Sequence, residues 1–211
     1  DKRGHMAAMP YADVPALMQK LAAAQPTTGR DALRFTIYNA VRSNETRLAV
    51  WTEFDLNNGI WTIPGERMKA GETHVVPLSP PALALLRRLW RERVSDNGLV
   101  FTNNGTKPIS DMTMTKLLRD DGIEDVTVHG FRSTFTDWSS EQTNFPKEVA
   151  DKALAHKLPS KVEAAYRRTD FFEKRRELMA AWAAFLHQTP DKSERRGQHP
   201  VDFANSTCAA A

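Results

Sequence analysis

With 211 residues the chain is long enough for one substantial hydrophobic core and does not demand a second domain. Its 41% hydrophobic and 26% charged residues fit an ordinary soluble globular protein, and no run approaches the roughly 18 apolar residues of a membrane span. The one cysteine, Cys208, excludes a disulfide framework and a cysteine-ligated zinc site, while a net charge of +3 implies no nucleic-acid partner by itself. No signal peptide opens the chain, so a cytoplasmic location is expected. The basic residues are unevenly spread: Arg87, Arg88, Arg91 and Arg93 form one cluster, and Lys152, Lys157, Lys161, Arg167, Arg168, Lys174, Arg175 and Arg176 another. Acidic neighbours such as Asp151, Glu163, Asp170 and Glu173 make a helix face laced with ion pairs an equal reading of the second cluster.

Residues 1–9 have no apolar periodicity and read as a linker from an upstream domain, ahead of a domain over 10–187. Val14, Leu17, Met18 and Leu21 recur at helical spacing, and Pro26 to Gly29 ends that helix. A second helix starts at Thr28, with Asp31 as its capping-box partner, and runs through Leu33, Phe35, Ile37, Tyr38 and Val41. It leads directly into Arg42-Ser43-Asn44-Glu45, and a short helix is expected over 45–50. The pattern then changes period: runs at 51–56, 60–63 and 73–78 read as a small three-stranded antiparallel sheet, with a polar loop around Lys69 between the last two strands.

Ser79-Pro80-Pro81 is a helix start, and Leu83, Leu85, Leu86, Leu89 and Trp90 give that helix one apolar face. A short extended segment is expected at 99–101 and a further helix over 112–119. Phe131, Phe135 and Trp138 then mark a helix that begins with His129 and Arg132 one turn apart. A histidine at a helix N-terminus is held neutral and can accept a proton, while the free N–H groups there attract an anion. The next helix, with Pro146 in its first turn, runs to about Ala155, and Pro159 breaks the chain after it. Ser160 and Glu163 have capping-box spacing, so a short helix starts there and carries Tyr166 on its second turn. A last helix spans 171–187, and residues 188–211, polar and then small, read as a flexible tail.

The polar exceptions to these patterns come in the order Arg42, Lys69, His129, Arg132, His156 and Tyr166. As Val41-Arg42-Ser-Asn-Glu45, Met68-Lys69-Ala-Gly, His129-Gly-Phe-Arg132, Leu154-Ala-His156 and Ala165-Tyr166-Arg167, they resemble the tyrosine recombinase family, the phage-type integrases, over about 10–187. Asn44 departs from the pattern, where glycine is more usual. The resemblance implies a mainly α-helical (α+β) catalytic domain with a small antiparallel sheet, closest to integrases of temperate phages and genomic islands.

It also implies the chemistry. Arg42 and Arg132 would hold the phosphate, with Glu45 orienting Arg42; two guanidiniums suit the charge that builds on the non-bridging oxygens. Tyr166 would be the nucleophile, His129 the proton acceptor, Lys69 the general acid for the leaving 5′-oxygen, and His156 a hydrogen-bond donor to the scissile phosphate. No cofactor, metal or ATP is required. The partners implied are double-stranded DNA attachment sites, a homotetramer on two DNA sites, and accessory DNA-bending or directionality proteins in the bacterial cytoplasm, with no membrane. Two other outcomes stay open on the sequence: strand relaxation of the type IB topoisomerase kind, and a catalytically silent DNA-binding module. A zinc hydrolase is disfavoured, because His129 and His156 have no third ligand at familiar spacing.

Overall fold

The computed structural model describes residues 7–156 and 170–188. Within them α1 (Val14–Ala23), α2 (Thr28–Asn39) and α3 (Ser43–Arg47) precede a sheet of order β1-β2-β3, formed by β1 (Phe54–Asp55), β2 (Ile60–Ile63) and β3 (His74–Pro77). There follow α4 (Pro80–Arg91), α5 (Thr113–Asp120), α6 (Gly130–Gln142), α7 (Lys147–Ala153) and α8 (Phe172–Leu186). This is the mainly helical domain with a small antiparallel sheet that the periodicities predict. Among the described residues no helix is long and apolar enough to cross a membrane. Tyr166, the expected helix around it, and the segment 189–211 lie outside the described residues.

α2 runs through the core, with Leu33, Phe35, Ile37 and Tyr38 all nearly inaccessible. α8 closes over it: Trp182 donates its indole N–H to the Ile37 carbonyl at 2.9 Å and packs against Trp138 of α6 at 4.9 Å between ring centroids. Truncating a buried tryptophan of this kind costs about 3–5 kcal/mol. In the sheet, Trp61 pairs with Val76 and Ile63 with His74, so alternate residues of β2 point into the core. At the other end of α6, the Ala7 carbonyl accepts the Thr127 N–H at 3.0 Å and the Met9 carbonyl accepts the Thr134 hydroxyl at 2.6 Å. A Cβ on Gly130 would collide with the Ala7 carbonyl, which is why the turn of α6 next to His129 carries a glycine.

Local details depart from the sequence reading. The cap of α2 is Thr27, whose hydroxyl accepts the Arg30 N–H; Asp31 is instead buried, 2.7 Å from Arg88 of α4. The predicted first strand shrinks to Phe54–Asp55, because Trp51–Glu53 forms a 3-10 turn. The helix expected at 45–50 begins earlier, at Ser43, and ends at Arg47. Leu99 makes a single antiparallel bridge to Val50 rather than a strand. Ser79 makes no capping bond, so the start of α4 rests on Pro80 and Pro81.

Candidate active site

Arg42 stands where α2 has ended and α3 begins. Ala40 closes α2 in the left-handed conformation (φ 49°), which turns the chain sharply before Arg42. Glu45, on the first turn of α3 and 4% exposed, accepts the Arg42 main-chain N–H at 2.8 Å and its guanidinium at 2.7 Å. The first of these is half of a capping box; a guanidinium has no acceptor with which to return the other half. Glu45 therefore fixes Arg42 at its main chain and at its guanidinium.

Arg132, on the first turn of α6, is 4% exposed and donates to two carbonyls, Ala40 at 2.7 Å and Leu154 at 2.6 Å. It joins the end of α2 to the end of α7. Burial, and then the charge of Arg42, lower its pKa to about 10, with Glu45 acting in the opposite direction, so it remains protonated at neutral pH. α7 ends in a Schellman motif with Ala155 at φ 49°: the Ala155 N–H bonds to the Lys152 carbonyl and the His156 N–H to that of Asp151. The motif sets His156 just past the helix, with Nδ1 3.2 Å from the Asp151 carboxylate. A carboxylate only accepts, so this contact places the proton on Nδ1. His74 of β3 supports the same helix end, donating from Nε2 to the Ala153 carbonyl at 3.2 Å.

Lys69 is exposed on the loop between β2 and β3. Beside it Met68 is buried, and Arg67 donates to the Glu45 carbonyl at 3.2 and 3.3 Å and to the Glu53 carboxylate at 2.9 Å. Glu53 also accepts the Trp61 indole N–H at 2.9 Å. Burial raises the Glu53 pKa, against the Trp61 and Arg67 bonds that lower it.

His129 caps α6, and its electrostatics report the company it keeps. Partial burial lowers its pKa, followed by the positive charges of Arg132, Arg42, His156 and Lys69. Five of the six residues singled out in the sequence thus share one electric field, although they come from α3, the β2-β3 loop, both ends of α6's first turn and the end of α7. The sixth, Tyr166, lies outside the described residues. Such a gathering of like charges around a buried guanidinium is suited to an anion.

Sequence reasoning passed over Arg67, Glu53, His74, Asp151 and Arg175 as parts of this framework. Arg175 of α8 is 3% exposed and bonds to the Val75 carbonyl of β3 at 2.6 Å and to Asp170. The Asp151 pairing has a local signal, a carboxylate one turn before a helix end that precedes a histidine. The others meet partners far off in the chain. The first basic cluster proves largely paired: Arg88 with Asp31 and Glu92, Arg93 with Asp96 and over the Trp90 ring at 3.5 Å. Among the described residues no three His, Cys, Asp or Glu side chains gather in a way that could hold a metal ion.

Comparisons with known proteins show the family. The phage integrase family model matches residues 8–173. The chain is 31% identical to the integrase of Enterobacteria phage P4 over 90% of its own length and 48% of that protein's. It is 33% identical to the prophage integrase IntA of Escherichia coli (strain K12) over 81% of the chain and 42% of IntA. The chain spans about half the length of the curated relatives it matches. Among solved structures, the integrase from mycobacterium phage Brujita superposes with a TM-score of 0.60 at 18% identity, covering 85% of this chain and 59% of that one. XerH site-specific recombinase, solved bound to its difH substrate, gives 0.55 at 16% identity over 77% of this chain and 52% of XerH. The chain belongs to the phage integrase family, the tyrosine recombinases.

Proposed function

We propose that the chain is the catalytic domain of a site-specific DNA recombinase, an integrase that cuts and rejoins strands through a 3′-phosphotyrosyl intermediate and so integrates or excises a prophage or genomic island. The observation that carries this reading is that Arg132, buried at the start of α6, bonds to the Ala40 and Leu154 carbonyls and so ties together the chain ends that carry Arg42, held by Glu45, and His156, held by Asp151. Arg42 and Arg132 bind the non-bridging oxygens of the scissile phosphate, where negative charge grows in the transition state. His156, with Nδ1 donating to Asp151, hydrogen-bonds the same phosphate through Nε2 when the ring carries both protons. His129, kept neutral by burial and by its cationic neighbours, accepts the phenolic proton.

The step balances without a cofactor. The Tyr166 oxygen forms a bond to phosphorus and gives its proton to His129. The bond from phosphorus to the 5′-oxygen breaks, and that oxygen takes a proton from Lys69. A phenol of pKa roughly 10 needs both the base and the positive field to react near neutrality. The other tyrosines are engaged elsewhere: Tyr11 donates to Glu141 at 2.7 Å, and Tyr38 is buried with its hydroxyl 2.9 Å from His187. A 5′-hydroxyl from a second strand reverses the step and completes the exchange. XerH, a structural neighbour, was solved on a DNA substrate, which supports DNA as the partner here. The proposal includes a homotetramer on two attachment sites, with accessory DNA-bending or directionality proteins, as the resemblance to the family implies.

The test is a nicked duplex bearing the DNA that borders the gene for the protein, incubated with wild type and with Tyr166→Phe. A band resistant to detergent and sensitive to protease, present only with wild type, is the expected result. Intact binding with no adduct from either protein would favour a non-catalytic DNA-binding module.

A further inference from the structure

The Arg67 side chain is 18% exposed and both its terminal nitrogens are committed to protein acceptors, so it is not a phosphate ligand in waiting. Its acceptors are informative. One is the main-chain carbonyl of Glu45, the residue whose carboxylate holds Arg42; the other is Glu53, 7% exposed and tied in turn to the indole of Trp61 in β2. Arg67 thus bolts the loop between β2 and β3 to the element that carries Arg42. The loop has little slack of its own. The Met68 N–H bonds to the Gly65 carbonyl and the Gly71 N–H to that of Met68, Met68 itself is buried, and a Cβ on Gly65 would come within 2.7 Å of the Gly71 carbonyl. Lys69 follows this anchored pair directly and is exposed.

We propose that Arg67 is a positioning residue for strand cleavage: by clamping the Glu45 carbonyl and the Glu53 carboxylate it holds the Lys69 ammonium at a fixed distance from the phosphate that Arg42 binds. This rests on the reading of Lys69 as the general acid. A proton donor displaced by about 1 Å can lose on the order of 100-fold in rate, so a loosened loop harms proton delivery while binding of the phosphate persists.

A duplex in which sulfur replaces the bridging 5′-oxygen isolates that role, because a thiolate leaves without needing a proton. Cleavage of oxygen and sulfur duplexes is to be measured for wild type, Lys69→Ala, Arg67→Ala, Arg67→Lys and Glu53→Gln. Lys69→Ala should lose about 100-fold or more on the oxygen duplex and recover to within a few-fold of wild type on sulfur. Arg67→Ala should lose about 10- to 100-fold on oxygen and recover likewise on sulfur. Arg67→Lys and Glu53→Gln, which preserve side-chain bulk should Arg67→Ala fail to fold, should show the same recovery from a smaller loss. Arg67 and Glu53 variants equally slow on both duplexes, with Lys69→Ala still rescued, would overturn the positioning role and leave the general acid in place. Failure of sulfur to rescue Lys69→Ala would overturn the general-acid reading and the role of Arg67 together.

Discussion

Glu45 holds Arg42 at two points, accepting its main-chain N–H at 2.8 Å and its guanidinium at 2.7 Å, from a position that is 4% exposed. The two bonds do different things: one starts α3 and the other aims a cation. Glu45→Ala removes both and should cost about 1–3 kcal/mol in urea unfolding. Glu45→Gln keeps an acceptor for the N–H but drops the charge that fixes the guanidinium. Its strand cleavage should therefore fall about 10-fold or more while stability stays near wild type. Parallel losses of stability and cleavage in the glutamine variant would contradict this division.

Arg42 and Arg132 differ in what else depends on them. The Arg42 side chain is 25% exposed, and its removal should cut cleavage about 100- to 1,000-fold with a small change in stability. Arg132 also satisfies the carbonyls of Ala40 and Leu154. Arg132→Ala leaves both without their donor and should cost about 2–5 kcal/mol as well as activity. An ammonium cannot span both carbonyls as a guanidinium does, so Arg132→Lys should regain part of the stability and little of the cleavage. Thermal unfolding alongside single-turnover cleavage separates the two arginines.

His129 should set the acid limb of the pH profile. Its pKa lies below the ordinary 6.5, first through burial and then through repulsion by Arg132, Arg42, His156 and Lys69. The neutral base is then present at and above pH 6.5, and cleavage should fall as pH drops through the lowered value. Arg42→Gln removes one of the repelling charges, so the His129 pKa should rise and its acid limb move to higher pH. Titration of the imidazole signals by NMR reads this directly, and an unchanged His129 pKa in Arg42→Gln would contradict the shared field.

His74 makes stability itself pH-dependent. Burial, and then the charges of Arg175 and Arg132, bring its pKa down to about 4, against the opposing pull of Glu45 and the Ala153 carbonyl. The unfolded chain then binds the extra proton between about pH 6.5 and 4, so the contribution is full above 6.5 and is lost as pH falls through 4. The size is on the order of 2–3 kcal/mol. His74→Gln can still donate to the Ala153 carbonyl and has nothing to titrate. Its stability should decline less than that of wild type between pH 7 and pH 4.5, as followed by chemical unfolding.

The parts of the fold legible in the sequence are those that local physics determines. β2 has the bounds that its apolar run predicts, and α6 and α8 bury the aromatic faces that their spacing marks. The order from Arg42 to His156 was also legible, because each lies beside a helix end or a turn with its own signal. Asp31 shows where local reading stops: its spacing from Thr28 suggests a cap, yet a long-range pairing with Arg88 claims it and Thr27 caps the helix. Trp51–Glu53 looks like strand by composition and is turned by the bridge from Val50 to Leu99 and the bond from the Trp51 N–H to the Gly98 carbonyl. Arg67 and Arg175 resemble solvated loop and surface arginines because their acceptors are main-chain carbonyls, which any sequence supplies.

On the proposed mechanism the cationic cluster of Arg42, Lys69, Arg132 and His156 presents a DNA phosphate to Tyr166. The most direct measurement is to trap the adduct on a nicked duplex, digest protein and DNA, and map the nucleotide-bearing peptide by mass spectrometry. The account predicts a 3′-linked nucleotide on the peptide containing Tyr166, and none when Arg42 or Arg132 is replaced by alanine. A nucleotide on Tyr11, Tyr38 or a serine, or an adduct undiminished in both arginine variants, would contradict it.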